Sequence, residues 1–338
     1  MNFTTRAPHD RPPGDRLRDD RLPGVGAAAL AVVFALVVNR FVPVLSPAAI
    51  AVVSGAALAN LVGVGERLKP GLRFVAKRVL RIAIVLLGLQ IAVPQVLALG
   101  WRTVAIVVVA TGVTFTLTPL IGRRLGLTPG ASLLVATGVS ICGAAAIAAM
   151  RESTDGSSDE DAAGALSVVV LYGTAAIAVV PLAASWLGLS ATQLGVWAGA
   201  AVHEVAQVAA IGAASGVLAT AVTVKLGRVI LLAPIVALTS YRRRHDHARP
   251  DTKRPPVIPL FVAGFLAMVA LRSGGLVPAA VTTVIPQLTN VLMAAALFGL
   301  GTGIDARALI KDGRTLLLGA MATGLIGTIS LAGAMLLV

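Results

Sequence analysis

The residues best suited to chemistry in this chain lie together in one apolar stretch. His203, Glu204 and Gln207 interrupt a run of small and aliphatic residues that extends from Gly199 to Gly212. On a helix the three side chains would fall within one arc of about 100°. An imidazole, a carboxylate and an amide would then share a face. Ionisable side chains inside a membrane usually face a bundle interior or a water-filled cavity, so this face is a candidate coupling site for transport. The alternative is that the Glu204 carboxylate is paired with His203 or a neighbouring helix and has only a structural role.

Enzymatic chemistry fits these residues poorly. The order His203-Glu204-x-x-Gln207 differs from the zinc motif His-Glu-x-x-His at its last position, so one of two helical ligands is missing. Ser140, Cys142 and His203 could be combined into a nucleophile set, but no Gly-x-Ser-x-Gly elbow accompanies them. We therefore predict that the protein is not an enzyme and that it holds no metal and no cofactor.

The composition indicates a membrane protein. Of the 338 residues, 57% are hydrophobic and 13% are charged, whereas a soluble domain carries about 25% charged residues. The net charge of +13 lies in short basic clusters between apolar runs, and aromatic residues make up only 4%. That placement is typical of the positive-inside rule and disfavours nucleic acid as a partner. We predict an all-α, polytopic membrane protein with the lipid bilayer as its surroundings, and the family resemblance given below implies that this membrane is a bacterial inner (plasma) membrane.

About eleven transmembrane helices can be drawn from the apolar runs. A charged, disordered tail is predicted for residues 1–22, followed by a transmembrane transporter domain over 23–338. The predicted spans are 24–40, 44–63, 78–97, 101–121, 128–150, 162–187, 192–218, 222–240, 256–273, 278–304 and 312–337.

The basic residues predict the orientation of these spans. With the N-terminus cytoplasmic and the C-terminus outside, 22 of the 28 basic residues fall in cytoplasmic segments. The remaining six are Arg40, Arg102, Arg151, Lys225, Arg228 and Arg272. Arg81 and Arg228 lie a few residues inside their spans. They either extend to the interface or attract an anionic substrate.

Two similar segments predict an inverted repeat. The segment 54–60 (SGAALAN) resembles 198–204 (AGAAVHE), and five spans separate the two, so the copies would have opposite orientations. We predict one extra helix over 24–40, a first five-helix repeat over 44–187 and a second over 192–338. The match places Asn60 opposite the ionisable pair, which makes it a candidate substrate-binding residue.

Glycine-rich centres mark two spans that the repeat pairs with each other. Span five contains TGVSICG at 137–143, and span ten contains FGLGTG at 298–303. Glycine is poor inside a continuous helix, so both spans are predicted to be discontinuous and to cross near the midplane. Tight helix packing by small residues is the alternative. The predicted substrate-binding residues are Ser140, Ile141, Cys142, Gly143, Gly301 and Thr302, together with Asn60.

Several of these segments resemble a known family. The stretches 140–146 (SICGAAA), 202–207 (VHEVAQ), 228–234 (RVILLAP) and 80–88 (LRIAIVLLG) are similar to signature segments of the bacterial YeiH-type sulfate-exporter family. The resemblance runs from about residue 24 to the C-terminus. It implies an inverted-repeat carrier related to bile-acid symporters and cation/proton antiporters, with two discontinuous crossing helices. It also implies roles for Ser140, Cys142, Gly143, His203, Glu204 and Gln207.

The expected function is secondary active transport, as an exporter or exchanger, of a small inorganic or organic anion such as sulfate or another sulfur-containing anion. His203, Glu204 and Gln207 would couple the movement of the anion to a proton or a sodium ion by alternating access. A cation/proton antiporter is the alternative, although spans five and ten lack the carboxylate that such a protein would need. A receptor-like scaffold is a third interpretation. A homodimer is compatible with the sequence.

Overall fold

The structure is a computed structural model that describes residues 21–42, 45–154, 156–246, 260–303 and 313–338, without the side chains of 243–246. Most of the predicted tail over 1–22 lies outside the described residues. Within the described ranges every regular element is a helix. The α-helices are α1 (Leu22–Phe41), α2 (Pro47–Ala57), α3 (Lys69–Phe74), α4 (Leu80–Leu87), α5 (Val93–Leu97), α6 (Trp101–Arg124), α7 (Pro129–Ser140), α8 (Ala144–Ser153), α9 (Asp159–Trp186), α10 (Ala191–Ala201), α11 (Val205–Ala214), α12 (Leu218–Ile230), α13 (Leu232–Asp246), α14 (Leu260–Ser273), α15 (Ala279–Gly301) and α16 (Gly313–Leu337).

Local sequence signals start several of these helices. Thr128 caps α7 by accepting a hydrogen bond from the Ala131 N–H at 3.0 Å, and Pro129 follows at the first helical position, where no N–H is needed. Ser158 and Asp161 form a capping box at the start of α9. Shorter stretches of other helix types continue some α-helices: a π-helix over Leu58–Val62 after α2, and another over Val75–Val79 between α3 and α4.

Six of the described helical segments are long and apolar enough to cross a membrane. They carry large apolar side chains on exposed surfaces, such as Leu30 and Leu182, which are 74% and 56% exposed. Exposed apolar faces of this kind suit lipid contact. The prediction of an all-helical, multi-pass membrane protein is therefore confirmed. The spans are Leu22–Phe41, Trp101–Arg124, Asp159–Trp186, Leu218–Arg242, Ala279–Gly301 and Gly313–Leu337.

The segment predicted as span five is discontinuous, but it does not run straight across. A straight path from Pro129 to Ser153 would cover about 36 Å. Instead, the Thr128 hydroxyl donates to Asp161 Oδ1 at 2.7 Å, and a Cβ atom on Gly130 would lie 2.9 Å from the Gly156 carbonyl oxygen. The start of α7 therefore lies beside the chain that follows α8. We name α7, α8 and their connection Ile141–Gly143 hairpin A, and the connection tip A.

The segment predicted as span seven folds in the same way. Helices α10 and α11 are separated by Val202–Glu204. A Cβ atom on Gly195, near the start of α10, would lie 3.1 Å from Thr220 Cβ and 3.5 Å from Val217 Cβ, just beyond the end of α11. Helix α11 thus returns to the level at which α10 began. We name this unit hairpin B, and Val202–Glu204 tip B.

The two hairpins enter from opposite ends of α9. Asp161, in the first turn of α9, lies at the base of hairpin A. Hairpin B begins at Ser190, shortly after α9 ends at Trp186. Both tips lie beside the middle of α9, where Val169 approaches Gly143 and Gly173 approaches Gln207. The prediction that spans five and seven each cross the membrane is therefore not confirmed, because a long apolar stretch can either cross or fold back.

The segment predicted as span ten is not broken. Helix α15 continues from Ala279 to Gly301. Its glycines allow close packing against α2: a Cβ atom on Gly301 would lie 2.3 Å from the Val52 carbonyl oxygen, and one on Gly55 would lie 2.3 Å from the Phe298 carbonyl oxygen. The discontinuity predicted at 298–303 is not confirmed, since α15 continues to Gly301 and close packing against α2 explains Gly301.

The inverted repeat is not confirmed. It pairs span two with span seven and span five with span ten. In the structure, span two consists of α2 with its π-helical continuation, whereas span seven is a hairpin. Span five is a hairpin and span ten is one continuous helix. The segments that the sequence match aligned therefore have different backbone paths.

Candidate functional site

Tips A and B meet in the interior of the protein. Gly143 has φ +80° and ψ −131°, a conformation that residues with a Cβ rarely adopt. A Cβ atom there would also lie 2.8 Å from Glu204 Cγ. Both the backbone geometry and the space require glycine at this point. The absence of a side chain lets the carboxylate-bearing tip B approach tip A directly.

At each tip, the carbonyl end of a helix is buried inside the protein. The last carbonyl groups of a helix have no partner within it and carry partial negative charge, so α7 and α10 both need hydrogen-bond donors here. Irregular backbone at membrane depth is tolerated only where protein or water satisfies it. Two basic residues of α12 provide the donors.

Lys225 connects the tips through its ammonium group. It is completely buried, and its Nζ donates to the Ile141 carbonyl at 2.8 Å and to the Val202 carbonyl at 2.7 Å. One acceptor belongs to tip A and the other to tip B. The contact therefore joins the two hairpins through a single cation.

Arg228 connects the same two helix ends and is also completely buried. From hairpin A, Nε binds the Ser140 carbonyl at 3.1 Å and Nη2 binds the Val139 carbonyl at 2.6 Å. From hairpin B, Nη1 binds the carbonyls of Ala200 at 2.7 Å and Val202 at 2.9 Å. The guanidinium fork thus satisfies four carbonyl groups in fixed directions. We call Lys225 and Arg228 together the α12 clamp.

The sequence prediction missed the clamp. Lys225 was counted as a residue outside the membrane, and Arg228 was expected to reach either the interface or a substrate. The structure instead directs both side chains to backbone carbonyls. Two basic residues three positions apart within an apolar helix share a face, and this spacing was the available signal. Arg81 differs from Arg228: its side chain is 49% exposed and its Nε lies 2.5 Å from Glu152 Oε2 in an ion pair.

Glu204 brings a carboxyl group to the junction of the tips. The residue is 7% exposed. A Cβ atom built on Gly143, which precedes the first residue of α8, would lie 3.4 Å from Glu204 Oε1. Oε2 has no hydrogen-bond partner among the described residues. The carboxyl group therefore lies at the positive end of α8 with one oxygen still able to bind.

The other two predicted coupling residues flank Glu204. His203 is buried, and its Nε2 lies 3.0 Å from Thr323 Oγ1 of α16. Gln207 accepts the Glu204 N–H through Oε1 at 3.0 Å. Within the part of the chain that the structure describes, His203 Nδ1 and Gln207 Nε2 lack a partner. The three residues do not form one face of a continuous helix, since the chain breaks at tip B, yet they remain around one junction.

The tip A residues contribute mainly through their backbone. The Ser140 hydroxyl donates to the Ala136 carbonyl at 2.5 Å, so its side chain closes the last turn of α7. Ile141 is fully buried, and its carbonyl group accepts a hydrogen bond from Lys225. Cys142 is buried with a free thiol. These residues lie at the junction, where the carbonyl groups of Ser140 and Ile141 bind Arg228 and Lys225.

Three predicted substrate-binding residues make described contacts within or between α2, its π-helical continuation and α15. Asn60 is exposed, and its Nδ2 donates to the Ala56 carbonyl at 2.7 Å. Gly301 packs against α2, and the Thr302 hydroxyl donates to the Gly299 carbonyl at 2.8 Å.

The helices and their charged junction define a class of protein: an all-helical, multi-pass membrane protein with two opposed hairpins around buried ionisable groups. In the described residues no three His, Cys, Asp or Glu side chains are grouped to hold a metal ion. The family model described as "Conserved hypothetical protein 698" matches residues 23–320. The chain belongs to this family.

Relatives extend the comparison over nearly the whole chain. A UPF0324 membrane protein of Corynebacterium glutamicum is 42% identical over 344 residues, covering 99% of each chain. Similar proteins from Agrobacterium fabrum and Brucella melitensis are 31% and 34% identical, covering 91% and 86% of this chain and 91% and 84% of their own. Their names describe membrane proteins. No solved structure matches the chain.

Proposed function

We propose that the protein is a secondary active transporter of a small anion, and that the anion binds between tips A and B. The observation that carries the proposal is the junction itself: two broken helices meet tip to tip beside one carboxyl group and two buried cations. Discontinuous helices in membranes are a recurring way to build substrate sites from backbone groups.

The charges at this junction favour an anion. Lys225 and Arg228 contribute two positive charges and Glu204 contributes at most one negative charge. The N-termini of α8 and α11 add positive helix-dipole ends, which bind anions elsewhere in proteins. A cation/proton antiporter would require the opposite balance, so we do not propose that alternative.

The opposed hairpins suit alternating access. Each one reaches the middle of α9 from a different end, so a site between the tips is separated from each side of the protein by one hairpin. Movement of the tip region relative to its surroundings would open the site to one side and then to the other. Sulfate and other sulfur-containing anions are the proposed substrates, moved outward or by exchange.

Glu204 is the proposed coupling residue, with His203 and Gln207 beside it. An ionised carboxylate without a full set of partners is costly in an apolar interior, so protonation changes the energy of the junction. A proton is the coupling ion that we propose. Sodium would need several oxygen ligands around it, whereas the tip carbonyls of Ile141 and Val202 already accept hydrogen bonds from Lys225.

The two hairpins also change the proposed number of membrane crossings. If hairpins A and B do not cross, nine segments cross the bilayer, and Arg151 moves to the cytoplasmic side. The cytoplasmic total rises from 22 to 23 of the 28 basic residues, leaving three outside, Arg40, Arg102 and Arg272. Lys225 and Arg228 lie within the membrane. This distribution supports a cytoplasmic N-terminus and an external C-terminus more strongly than eleven crossings did.

Transport by Glu204→Gln tests the proposal. Purified wild-type protein in proteoliposomes should move sulfate or thiosulfate in response to a pH gradient, with an accompanying change in internal pH. Glu204→Gln should remove this proton-driven transport because the amide cannot take up a proton. Glu152→Gln is the matched control, since Glu152 pairs with Arg81 away from the junction. Wild-type transport by folded Glu204→Gln would refute the coupling role.

A further inference from the structure

We propose that the Glu204 carboxylate is a tethered occupant of the anion site, and that a transported anion replaces it when Glu204 is protonated. This inference rests on the proposed function and specifies how proton and anion are linked. The carboxyl group already lies beside Gly143 at the N-terminus of α8, since Glu204 Oε1 is 3.4 Å from the position of a Cβ atom on Gly143, and an external anion would bind at the same helix end. The position is therefore occupied by a negative group that belongs to the protein itself.

The binding position is incompletely filled. Glu204 Oε2 has no partner among the described residues, and the same holds for Gln207 Nε2, which is 1% exposed. Lys225 donates two hydrogen bonds to carbonyl groups, while an ammonium group carries three N–H donors. The Gln207 amide and the third N–H of Lys225 are thus the donors that we propose for an oxyanion that displaces the carboxylate.

The charges around the carboxylate determine what replaces it. Helix α12 contributes Lys225 and Arg228, tip A contributes the Cys142 thiol, and His203 is adjacent on tip B. With Glu204 ionised, the two cations retain one unbalanced positive charge. With Glu204 protonated, they retain two, which a divalent oxyanion neutralises. We therefore assign the site to a divalent oxyanion that binds together with one proton.

The proposed exchange moves one proton and one anion together. A proton binds a Glu204 carboxylate oxygen, the neutral carboxyl group gives up its place at the start of α8, and the oxyanion accepts the freed N–H donors. Release of the anion allows Glu204 to lose its proton and to return. The Glu204 carboxylate and the anion compete for one position. Each can therefore replace the other when that position is vacated. The coupling then needs no second ion site.

The test measures sulfate binding to the purified full-length protein by titration calorimetry over a pH series. Wild-type affinity should increase about tenfold for each unit decrease in pH, since one proton is taken up with each anion. Buffers with different ionisation enthalpies should report the uptake of one proton. Chloride, as a monovalent control, should bind more weakly than sulfate at low pH.

Two variants complete the test. Glu204→Gln should bind sulfate with the affinity that the wild type reaches at low pH, and without pH dependence, while Glu152→Gln should behave as the wild type. Sulfate binding by the wild type that does not change with pH would overturn the tethered-carboxylate inference and leave the proposed function standing. Loss of sulfate binding in folded Glu204→Gln would also overturn it. Binding of no anion by any of the three proteins would overturn the proposed function and this inference together.

Discussion

The α12 clamp predicts an unequal loss of stability when its two members are removed. Arg228→Met leaves the carbonyls of Val139, Ser140 and Ala200 without their donor, because Val202 keeps its bond to Lys225. Lys225→Met leaves only the Ile141 carbonyl without its donor, since Arg228 still binds Val202. The two substitutions therefore differ by two unsatisfied buried carbonyl groups.

The magnitude follows from the cost of an unpaired buried acceptor, about 1–3 kcal/mol for each group. Arg228→Met should thus reduce the free energy of unfolding by about 2–6 kcal/mol more than Lys225→Met does. Both changes remove one fully buried cation, so the relief from burying that charge largely cancels in the comparison.

Denaturation with sodium dodecyl sulfate in mixed micelles, followed by circular dichroism, measures this difference. Arg81→Met is the matched control, because it removes an arginine from a half-exposed ion pair that contributes about 1 kcal/mol or less. The order of stability should be wild type, Arg81→Met, Lys225→Met and then Arg228→Met. Equal losses for the two clamp variants, or a smaller loss for Arg228→Met, would refute the assignment of carbonyl satisfaction as the role of the clamp.

Two further predictions concern the hairpins. In a Cys142→Ala background, single cysteines at Thr128 and Ser157 should both react with a membrane-impermeant maleimide from the same side, whereas a crossing span would place them on opposite sides. Gly143→Ala should lower the melting temperature more than Gly188→Ala. Both positions have positive φ, at +80° and +65°, but only Gly143 also has Glu204 in the space of the new methyl group. Equal shifts would show that contact with Glu204 is unimportant.

The composition was sufficient to predict the membrane class and most helix positions. Charge density and apolar runs report transfer into lipid, which is a property of the local sequence. The break at 140–143 was also predictable, because glycine at a tight backbone turn leaves a local signal. His203 and Glu204 were found from their polarity in an apolar run.

The backbone path was harder to predict, for physical reasons. Hydropathy does not distinguish a segment that crosses from one that turns back, since both must be apolar over a similar length. The glycines at 299–303 looked like those of tip A, although they serve close approach to α2. The role of Lys225 and Arg228 depends on carbonyl groups more than 20 residues away in sequence. A single sequence contains no local record of those partners.

The clamp has a consequence for how the chain is assembled in the membrane. Ribosomes deliver hairpin A before α12, and 84 residues separate Ile141 from Lys225. Until α12 arrives, the carbonyl end of α7 must find temporary partners, for which water or translocon groups are available. Helix α12 in turn carries two charges that cost about 2.5–3.5 kcal/mol each at the centre of an isolated inserting helix. Neither hairpin A nor α12 is well suited to lipid alone. Productive insertion therefore requires hairpin A to remain at the translocon until α12 has been synthesised.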